Sequence, residues 1–272
     1  MTLELAASAP HYMPAPDSSR PADWSFDVSW ANSEADVRAA QALRFQIFAG
    51  ELGARLPHAA VKQGRDMDRF DPFCDHLLVW SRDLTELQAP QLVGTYRVLA
   101  PEGARRCGGW YADDEFDMAN LAALRPAAVE LGRACVRADW RCGGVIMALW
   151  GALGKYMVRR KLDAMVGCAS VGMADGGHFA ASLWRTLQQS HLADPEWQVR
   201  PRRPLHLPSC AGAVPALVPM RAMPPLIKGY LRGGAQVLGA PSFDAGFNTA
   251  DLPIMMRMAE LSPRYRAQFL AP

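Results

Sequence analysis

The stretch ELGRACVRADWRCGG, residues 130–144, decides the fold because it places a strand, a turn and the start of a helix within fifteen residues. The apolar run 128–136 predicts a buried strand, and the apolar run 145–160 predicts a helix. A helix N-terminus that follows a strand offers free N–H groups to an anion, and glycines let a ligand approach the backbone. A structural turn that needs glycine explains Gly143 and Gly144 equally well, since the stretch is neither a P-loop nor GxGxxG.

Glu130 and Arg133 stand out because both are charged residues inside an apolar strand. Buried acids are uncommon unless they are paired. Strict alternation would put the two side chains on opposite faces of the sheet, whereas a bulge near Gly132 would bring them together. We therefore expect a bulged or splayed strand. Two interpretations of the pair stay open at this point, a structural ion pair and a catalytic site.

A second group of charges lies upstream, in the segment 65–75, RDMDRFDPFCD. Its carboxylates at Asp66, Asp68 and Asp71 could bind a cationic amine or a metal ion. The calcium-loop pattern fails, because Pro72 stands where the glycine turn should develop, so no metal is expected. The alternative is a solvated charged loop.

Arg44 and Arg97 are arginines in otherwise apolar elements. Arg44 interrupts the apolar stripe of a helix that we expect to begin after an N-cap at Ser33 and to end near Gly50. Arg97 lies late in the strand 91–99. Each could extend to solvent along its aliphatic stem, or the arginines and the nearby aspartates could form one shared network.

Length and composition predict one globular domain over residues 23–272 with an extended C-terminal part, preceded by a flexible tail over residues 1–22. The net charge of +2 does not point to nucleic acid. The six cysteines show neither a CxxC pair nor zinc-ligand spacing. The N-terminal segment lacks the pattern of a secretory signal, so we expect a cytoplasmic protein with reduced thiols.

No stretch of the sequence reaches the roughly 18 apolar residues of a membrane-spanning helix. Contact with the inner membrane surface stays an open alternative.

The order of elements along the chain predicts an α/β fold. Its central sheet should be mixed, mostly antiparallel and flanked by helices. Strands are expected at 24–30, 76–80, 91–99, 128–136, 162–171, 235–241 and 251–258. A further helix should begin near Asp175 and a terminal one after Ser262, whereas the Pro- and Arg-rich segment 194–231 is expected to be irregular.

At this point the residues resemble a known family. The combination of Arg44 with Phe48, DMDRFD at 66–71, YRVL at 96–99 and ELGRACV at 130–136 resembles the acyl-homoserine-lactone synthases, which belong to the GNAT-like acyltransferase superfamily. In this match Asp66 stands where the family usually has Glu. The resemblance implies a GNAT-like fold with splayed strands.

The chain is still more similar to the bacterial ornithine N-acyltransferases, over residues 34 to about 270. The segments that carry this resemblance are ELGRACV, WRCGGVIMALWG, GCASV, PPLIKGYLRGGA and FNTADLPIMM. Gly233 often is Leu in that family and Trp140 often is Tyr. The resemblance implies transfer of a 3-hydroxyacyl group from acyl carrier protein to the α-amino group of ornithine, forming lyso-ornithine lipid. No bound cofactor is expected, because the carrier's phosphopantetheine arm delivers the acyl group.

This reaction gives the charged residues of the strand expected roles. Glu130 is the expected general base, directly or through a water, with Arg133 beside it as the second catalytic residue. The backbone N–H groups of Ala134 and Cys135 are expected to stabilise the oxyanion. Thioester aminolysis needs such a base, because an α-amino group with a pKa near about 8 is mostly protonated at pH 7.

The remaining expected contacts belong to the two substrates. Arg141, Gly143 and Gly144 would receive the phosphopantetheine phosphate; the GNAT signature is incomplete there, since Ile146 occupies its last position. For ornithine, Asp68 or Asp71 would hold the side-chain ammonium, and Arg44 or Arg97 the carboxylate. The alternative, that these four only build the fold, stays open.

Two rival functions also stay open. One is an N-acyltransferase for a different amino acid, or a lactone synthase. The other is a non-catalytic module that binds the acyl carrier or a lipid. The basic stretches 159–161 and 200–203 could dock an acidic carrier protein, and a solvated basic surface explains them equally well.

Overall fold

The structure is a computed structural model that describes residues 24–85, 88–141, 143–205 and 217–269. The predicted tail, residues 1–22, lies outside the described residues, and the domain boundary stays a prediction.

The described residues contain ten strands. They are β1 (Trp24–Trp30), β2 (Asp75–Asp83), β3 (Gln91–Leu99), β4 (Phe116–Asp117), β5 (Ala128–Val136), β6 (Ala164–Gly172), β7 (Arg200–Pro201), β8 (Gln236–Val237), β9 (Ser242–Asp244) and β10 (Thr249–Arg257).

The same part of the chain contains seven α-helices. They are α1 (Glu34–Phe45), α2 (His58–Gln63), α3 (Pro101–Cys107), α4 (Gly144–Arg160), α5 (His178–Ser190), α6 (Pro225–Gly233) and α7 (Pro263–Phe269). Ser33 caps α1, as expected, by accepting a hydrogen bond from the Asp36 N–H at 3.2 Å. A π-helical segment, Gln46–Glu51, continues α1.

The main sheet has the strand order β1-β2-β3-β5-β6-β10-β8, and β9 also pairs with β10. All neighbours are antiparallel except β5 and β6, which are parallel. β4 and β7 form a separate two-stranded sheet. The prediction of a mixed, mostly antiparallel central sheet flanked by helices is confirmed.

Helices cover both faces of the sheet. On one face, Leu43 of α1 and Ile47 after it pack with Cys135 of β5. On the other face, Val145 of α4 approaches β3 at Gly94. Because side chains alternate along a strand and Thr95 pairs with Cys135, Gly94 and Cys135 face opposite sides. We call these two sides the α1 face and the α4 face.

β5 leaves β6 halfway along its length. The two strands pair over Ala128–Leu131 and Ala164–Gly167, and then separate although β5 continues to Val136 and β6 to Gly172. A Cβ atom on Gly167 would lie 2.4 Å from the Leu131 carbonyl oxygen, so this last pair is close enough to need glycine.

β5 is also bulged against β3. Arg97 pairs with Gly132 and Thr95 with Cys135, so β5 has one more residue than β3 in this interval. Arg133 adopts a left-handed backbone conformation there, with φ of 54°. The expected bulged and splayed strand is confirmed.

The prediction of an irregular segment over 194–231 is wrong in its last part, where α6 forms. Pro225 lies in the first turn of α6, a position where its fixed φ and missing N–H are tolerated. Ile227 and Leu231 are buried against the core. Tertiary packing of this amphipathic face therefore outweighs the local proline signal.

Two further boundaries differ from the sequence prediction. α5 begins at His178 rather than near Asp175, whose side chain instead accepts hydrogen bonds from the Gly177 and Phe179 N–H groups at 2.8 and 2.7 Å. The late strand expected over 235–241 is limited to β8.

Candidate active site

A cavity of about 450 Å³ lies where β5 and β6 separate. Its wall includes Glu130 and Arg97, which face the α1 side, and Leu131 and Tyr96, which face the α4 side. Residues from both faces can share one cavity because the two strands have parted. The cavity therefore passes through the sheet.

Glu130 is buried on this wall and is held by backbone donors. Its Oε2 accepts a hydrogen bond from the Tyr111 N–H at 2.6 Å, and its Oε1 accepts one from the Ala112 N–H at 2.7 Å. Burial raises the pKa of Glu130 to about 7, although both N–H groups act to lower it. A carboxylate with this pKa can accept a proton near neutral pH and release it again.

Three arginines and three aspartates form a closed ring of ion pairs at the edge of the cavity. We call it the arginine–aspartate ring, and its members in order are Arg44, Asp66, Arg133, Asp68, Arg97 and Asp71. The N–O distances around the ring are 3.0, 3.2, 3.4, 2.7, 3.3 and 2.9 Å. The shared network that the sequence left open is therefore present.

The arginines of the ring keep Asp68 and Asp71 ionised. Burial acts to raise the pKa of Asp71, but the charges of Arg44 and Arg97 outweigh it and hold the pKa well below its usual range. The pKa of Asp68 is lowered in the same way, since burial is outweighed by Arg97 and Arg133. Each carboxylate thus already has cationic partners.

Only part of the ring reaches the cavity. Arg97 and Arg133 lie on the cavity wall, whereas Arg44, Asp68 and Asp71 do not. Arg44 is 1% exposed and Asp71 is also buried. The role of Arg44, Asp68 and Asp71 as substrate contacts stays a prediction, and this placement favours the structural interpretation.

Arg133 is fixed on the wall by aromatic rings as well as by charge. Its guanidinium lies 4.9 Å from the centroid of the Tyr111 ring and 4.5 Å from that of Phe247. The bulge brings Arg133 and Glu130 to the same cavity, but each has other partners: Arg133 binds Asp66 and Asp68, and Glu130 binds backbone N–H groups.

The N-terminus of α4 lies on the same cavity. Arg141 and Gly143 are on its wall, and Arg141 is held by Glu51 at 2.6 Å and by the Val136 carbonyl at 2.9 Å. Gly144 is not on the wall. A Cβ atom on Gly144 would lie 2.9 Å from the Phe26 ring, so this glycine permits packing of β1 against α4.

The two predicted oxyanion donors, the backbone N–H groups of Ala134 and Cys135, differ in how their residues pair with β3. The Arg137 N–H donates to the Val93 carbonyl at 2.9 Å. Bonded pairs alternate along an antiparallel ladder, so Thr95 and Cys135 form a bonded pair and the Cys135 N–H is directed at β3. Ala134 lies in the bulge, where it pairs with no residue of β3, and it lines the cavity.

Three buried carboxylates near the cavity were not singled out from the sequence: Glu115, Asp244 and Asp251. We call them the acidic cluster. One carboxylate oxygen each of Glu115 and Asp251 and the Cys168 Sγ lie within 4.8 Å of one another. One signal was available in the sequence: Asp251 is a charged residue at the start of the apolar run DLPIMM, and buried acids are uncommon unless they are paired.

The electrostatics of the acidic cluster are opposite to those of the ring. Burial, with the charges of Asp251 and Asp244, raises the pKa of Glu115 to about 9. Burial also raises the pKa of Asp251. Glu115 and Asp251 therefore tend to hold protons where Asp68 and Asp71 do not.

The basic stretch 159–161 lies at the C-terminal end of α4, about 25 Å along the helix from the cavity. In the second basic stretch, the Arg202 Nε donates to the Asp113 carbonyl at 2.9 Å. Among the described residues, no helix is both long enough and apolar enough to cross a membrane.

Comparison with known proteins supports the class that this architecture defines. Residues 43–151 match the family described as Acetyltransferase (GNAT) domain. Similar solved structures include the AHL synthase LasI, with 11% identity, a TM-score of 0.48 and coverage of 90% of this chain and 94% of that chain. FeeM, an N-acyl amino acid synthase from uncultured soil microbes, has 13% identity, a TM-score of 0.47 and coverage of 91% and 95%. The fold is that of the GNAT-type acyltransferases.

Closer relatives define the family within that class. L-ornithine N(alpha)-acyltransferase of Brucella abortus is 38% identical over 246 residues, which cover 89% of this chain and 87% of that protein. The protein of the same name from Agrobacterium fabrum is 37% identical, with coverage of 89% and 84%. The chain belongs to the L-ornithine N(alpha)-acyltransferase family, as its sequence motifs predict.

Proposed function

We propose that this protein transfers a 3-hydroxyacyl group from acyl carrier protein to the α-amino group of L-ornithine, forming lyso-ornithine lipid. The observation that carries the proposal is 38% identity, over 89% of this chain, to a protein named L-ornithine N(alpha)-acyltransferase. The cavity supports it because its wall takes residues from both faces of the sheet, so that the acyl donor and the amine could bind on different faces.

The donor side is the α4 face. The phosphopantetheine phosphate is expected at Arg141 and Gly143, where a guanidinium and the N-terminus of α4 both favour an anion. Gly144 supports this site through packing rather than through contact. The docking position of the carrier is then near this end of α4, away from the basic stretch 159–161.

The acyl chain has an apolar wall on the same face. Tyr230 of α6 stacks on Trp150 of α4, with ring centroids 5.5 Å apart, and its hydroxyl lies 2.6 Å from that of Tyr96. A second, apolar cavity of about 50 Å³ shares these three aromatic residues. An acyl chain that extends along them would leave water, which is favourable in proportion to its apolar area.

The reaction is aminolysis of the thioester. The α-amino nitrogen attacks the carbonyl carbon, a C–N bond forms, the C–S bond breaks and the pantetheine thiol leaves. Glu130 accepts a proton from the amine, directly or through a water. The Ala134 N–H stabilises the negative charge on the carbonyl oxygen, while the Cys135 N–H is engaged with β3.

The ring supports the acceptor side. Arg97 and Arg133 present positive charge to the cavity and suit the carboxylate of an amino acid. Arg44, Asp66, Asp68 and Asp71 hold these two guanidinium groups in place.

We place the protein in the cytoplasm, with peripheral contact to the inner membrane surface as part of the proposal. Leu52 lies on the cavity wall and is 57% exposed. An amphiphilic product that leaves past an exposed leucine could pass to a lipid surface without full transfer to water.

The proposal is tested by supplying 3-hydroxyacyl carrier protein and an equimolar mixture of amino acids that includes ornithine and S-adenosylmethionine. Mass spectrometry of the products and assay of free thiol should show one N-acylornithine per thiol released. Acylation of a different amino acid or formation of a lactone would overturn the ornithine assignment. Carrier binding without thiol release would identify a non-catalytic module.

A further inference from the structure

We propose that the acidic cluster of Glu115, Asp244 and Asp251 binds the side-chain ammonium of the acceptor amino acid and selects a diamino acid. This inference rests on the proposed function, because it names the part of the same cavity that recognises the acceptor's second amine.

The cluster lacks a cation of its own. Within the described residues, no Lys, Arg or His lies within 4.0 Å of these three carboxylates as an ion-pair partner. Two arginines act on the cluster without forming an ion pair: Arg203, which is exposed, lowers the pKa of Glu115, and Arg133 lowers that of Asp251. Burial outweighs both, and the pKa of Glu115 still lies near 9.

The partners that the cluster does have are neutral donors. Asp244 Oδ1 accepts from the Gly246 and Phe247 N–H groups at 2.7 and 3.1 Å. Asp244 Oδ2 accepts from the Tyr111 hydroxyl at 3.2 Å. Asp251 Oδ1 accepts from the Thr249 hydroxyl at 2.8 Å.

One oxygen of the cluster has no donor. Glu115 Oε1 is buried and has no hydrogen-bond partner. The Cys168 Sγ lies 4.0 Å from Oε2, and the Tyr111 side chain also acts on this carboxyl as a hydrogen-bond partner that lowers its pKa. Glu115 as a whole is 1% exposed. A buried carboxylate oxygen without a donor is costly, so this atom points to a ligand that supplies a hydrogen bond and a positive charge.

The strand register places the cluster on the same face as Glu130. Glu130 pairs with Val166 of β6, and Val166, Cys168 and Ser170 share one face by alternation. Ser170 pairs with Asp251 of β10. A path on one face therefore connects the proposed base to the cluster.

The cavity opens onto this path. Cys168, Ser170, Asp244 and Asp251 all lie on its wall. Glu115 does not line the cavity, but one of its carboxylate oxygens lies within 4.8 Å of the Cys168 Sγ and of an Asp251 carboxylate oxygen. An amino acid with its α-amino group at Glu130 could thus extend its side chain along β6 and β10 to the cluster. A primary side-chain ammonium, with a pKa near about 10.4, is charged at neutral pH and donates three hydrogen bonds.

The chemistry of the donors favours an ammonium over a metal ion. The soft ligand of the group, Cys168, binds metals as a thiolate. Burial, with the negative charges of Glu115 and Asp251, raises the pKa of its thiol well above the usual range, which keeps the proton on the sulfur.

The test compares ornithine with 2-aminopentanoic acid, which has the same carbon chain but no side-chain amine. The variants are Glu115→Gln and Asp251→Asn. The matched control is Asp114→Asn, since Asp114 is adjacent in sequence but exposed and paired with Arg69. Binding of each amino acid is measured by calorimetry, and kcat/KM is measured with 3-hydroxyacyl carrier protein.

We expect the wild type and Asp114→Asn to bind ornithine at least about 30-fold more tightly than 2-aminopentanoic acid. Glu115→Gln and Asp251→Asn should lose this preference while their binding of 2-aminopentanoic acid is unchanged. Retained preference in both variants would overturn the inference, as would a stoichiometric metal whose removal abolishes ornithine binding.

The two proposals fail separately. Selective ornithine binding by the cluster without acyl transfer would overturn the proposed function alone. If the wild type and all three variants transferred the acyl group to ornithine with the same preference over 2-aminopentanoic acid, only the role of the cluster would be overturned.

Discussion

The arginine–aspartate ring and the acidic cluster each place three carboxylates beside the same cavity, and they differ in what faces those carboxylates. The ring supplies one arginine for each aspartate. The cluster supplies hydroxyl and backbone donors, and it leaves Glu115 Oε1 without any. The ring is complete as it stands, whereas the cluster is completed by a cation from outside.

The pKa values express the same difference. In the ring, Asp68 and Asp71 have lowered pKa values because of Arg44, Arg97 and Arg133. In the cluster, burial raises the pKa of Glu115 to about 9. Glu130 lies between these extremes, with a pKa raised by burial to about 7. This intermediate value suits proton transfer rather than permanent charge.

Replacement of Glu130 should have the largest effect. Glu130→Gln is expected to lower kcat by about 10²- to 10⁴-fold, because the general base is lost. In the wild type, activity should rise as pH rises through about 7, since the ionised carboxylate is the active form, and this limb should disappear in the variant.

The control for Glu130 is Glu102→Gln, since Glu102 is exposed and pairs with Arg160. Rates of thiol release across pH give both results. Unchanged turnover in Glu130→Gln would remove the residue from catalysis.

Breaking the ring should mainly affect stability. Arg44→Met is expected to lower the free energy of unfolding by about 3–5 kcal/mol, because Asp66 and Asp71 would remain buried with incomplete compensation. In the same helix, Arg38→Met removes an exposed pair with Glu34 and should cost about 0.5 kcal/mol. Urea unfolding measures both, and equal effects would show that the ring does not stabilise the fold.

The close approach of β5 and β6 just before they separate can be tested by replacing Gly167. Gly167→Ala is expected to lower the free energy of unfolding by about 1–3 kcal/mol, because the new methyl group would meet the Leu131 carbonyl. Gly172→Ala, in the same strand, has nothing within 4 Å of the added atom and serves as the control. If both variants have the wild-type midpoint in urea, the last β5–β6 pair is not as close as described.

Replacement of Glu115 should have the smallest effect on stability. Glu115→Gln is expected to change the free energy of unfolding by less than about 1 kcal/mol at pH 7, because an amide resembles the protonated acid in charge and shape. The folded-state pKa, about 9, lies above the ordinary value of 4.5. Wild-type stability should therefore fall as pH rises through this interval, and the fall should be smaller in the variant. If Glu115→Gln lowered the free energy of unfolding as much as Arg44→Met does, Glu115 would be a residue that stabilises the fold.

The sequence predicted the sheet well because its signals are local. β3, β5 and β1 have the predicted boundaries, and each is a continuous or alternating apolar segment. α6 was missed because Pro224 and Pro225 indicate a loop, whereas the burial of Ile227 and Leu231 depends on neighbours that the local pattern does not contain.

The candidate site was predictable only in part, for the same reason. Glu130, Arg133 and Arg97 are conspicuous as charges in apolar strands, so they could be selected without knowing their partners. The ring closes through pairs that are far apart in the sequence, such as Arg133 with Asp68, which are 65 positions apart. The acidic cluster joins an acid beside β4 to acids in β9 and β10, and only the sheet register brings them together.

The claim that the cluster receives its cation from the substrate is tested most directly by carbon NMR of protein labelled at the glutamate side-chain carboxyl, with Glu115→Gln used for assignment. Without an amino acid, Glu115 should titrate with a pKa near 9. With ornithine bound, the ammonium should lower that pKa, and 2-aminopentanoic acid should not. A Glu115 that titrates near its ordinary value, or that does not respond to ornithine, would contradict the proposal that the cluster receives its cation from the substrate.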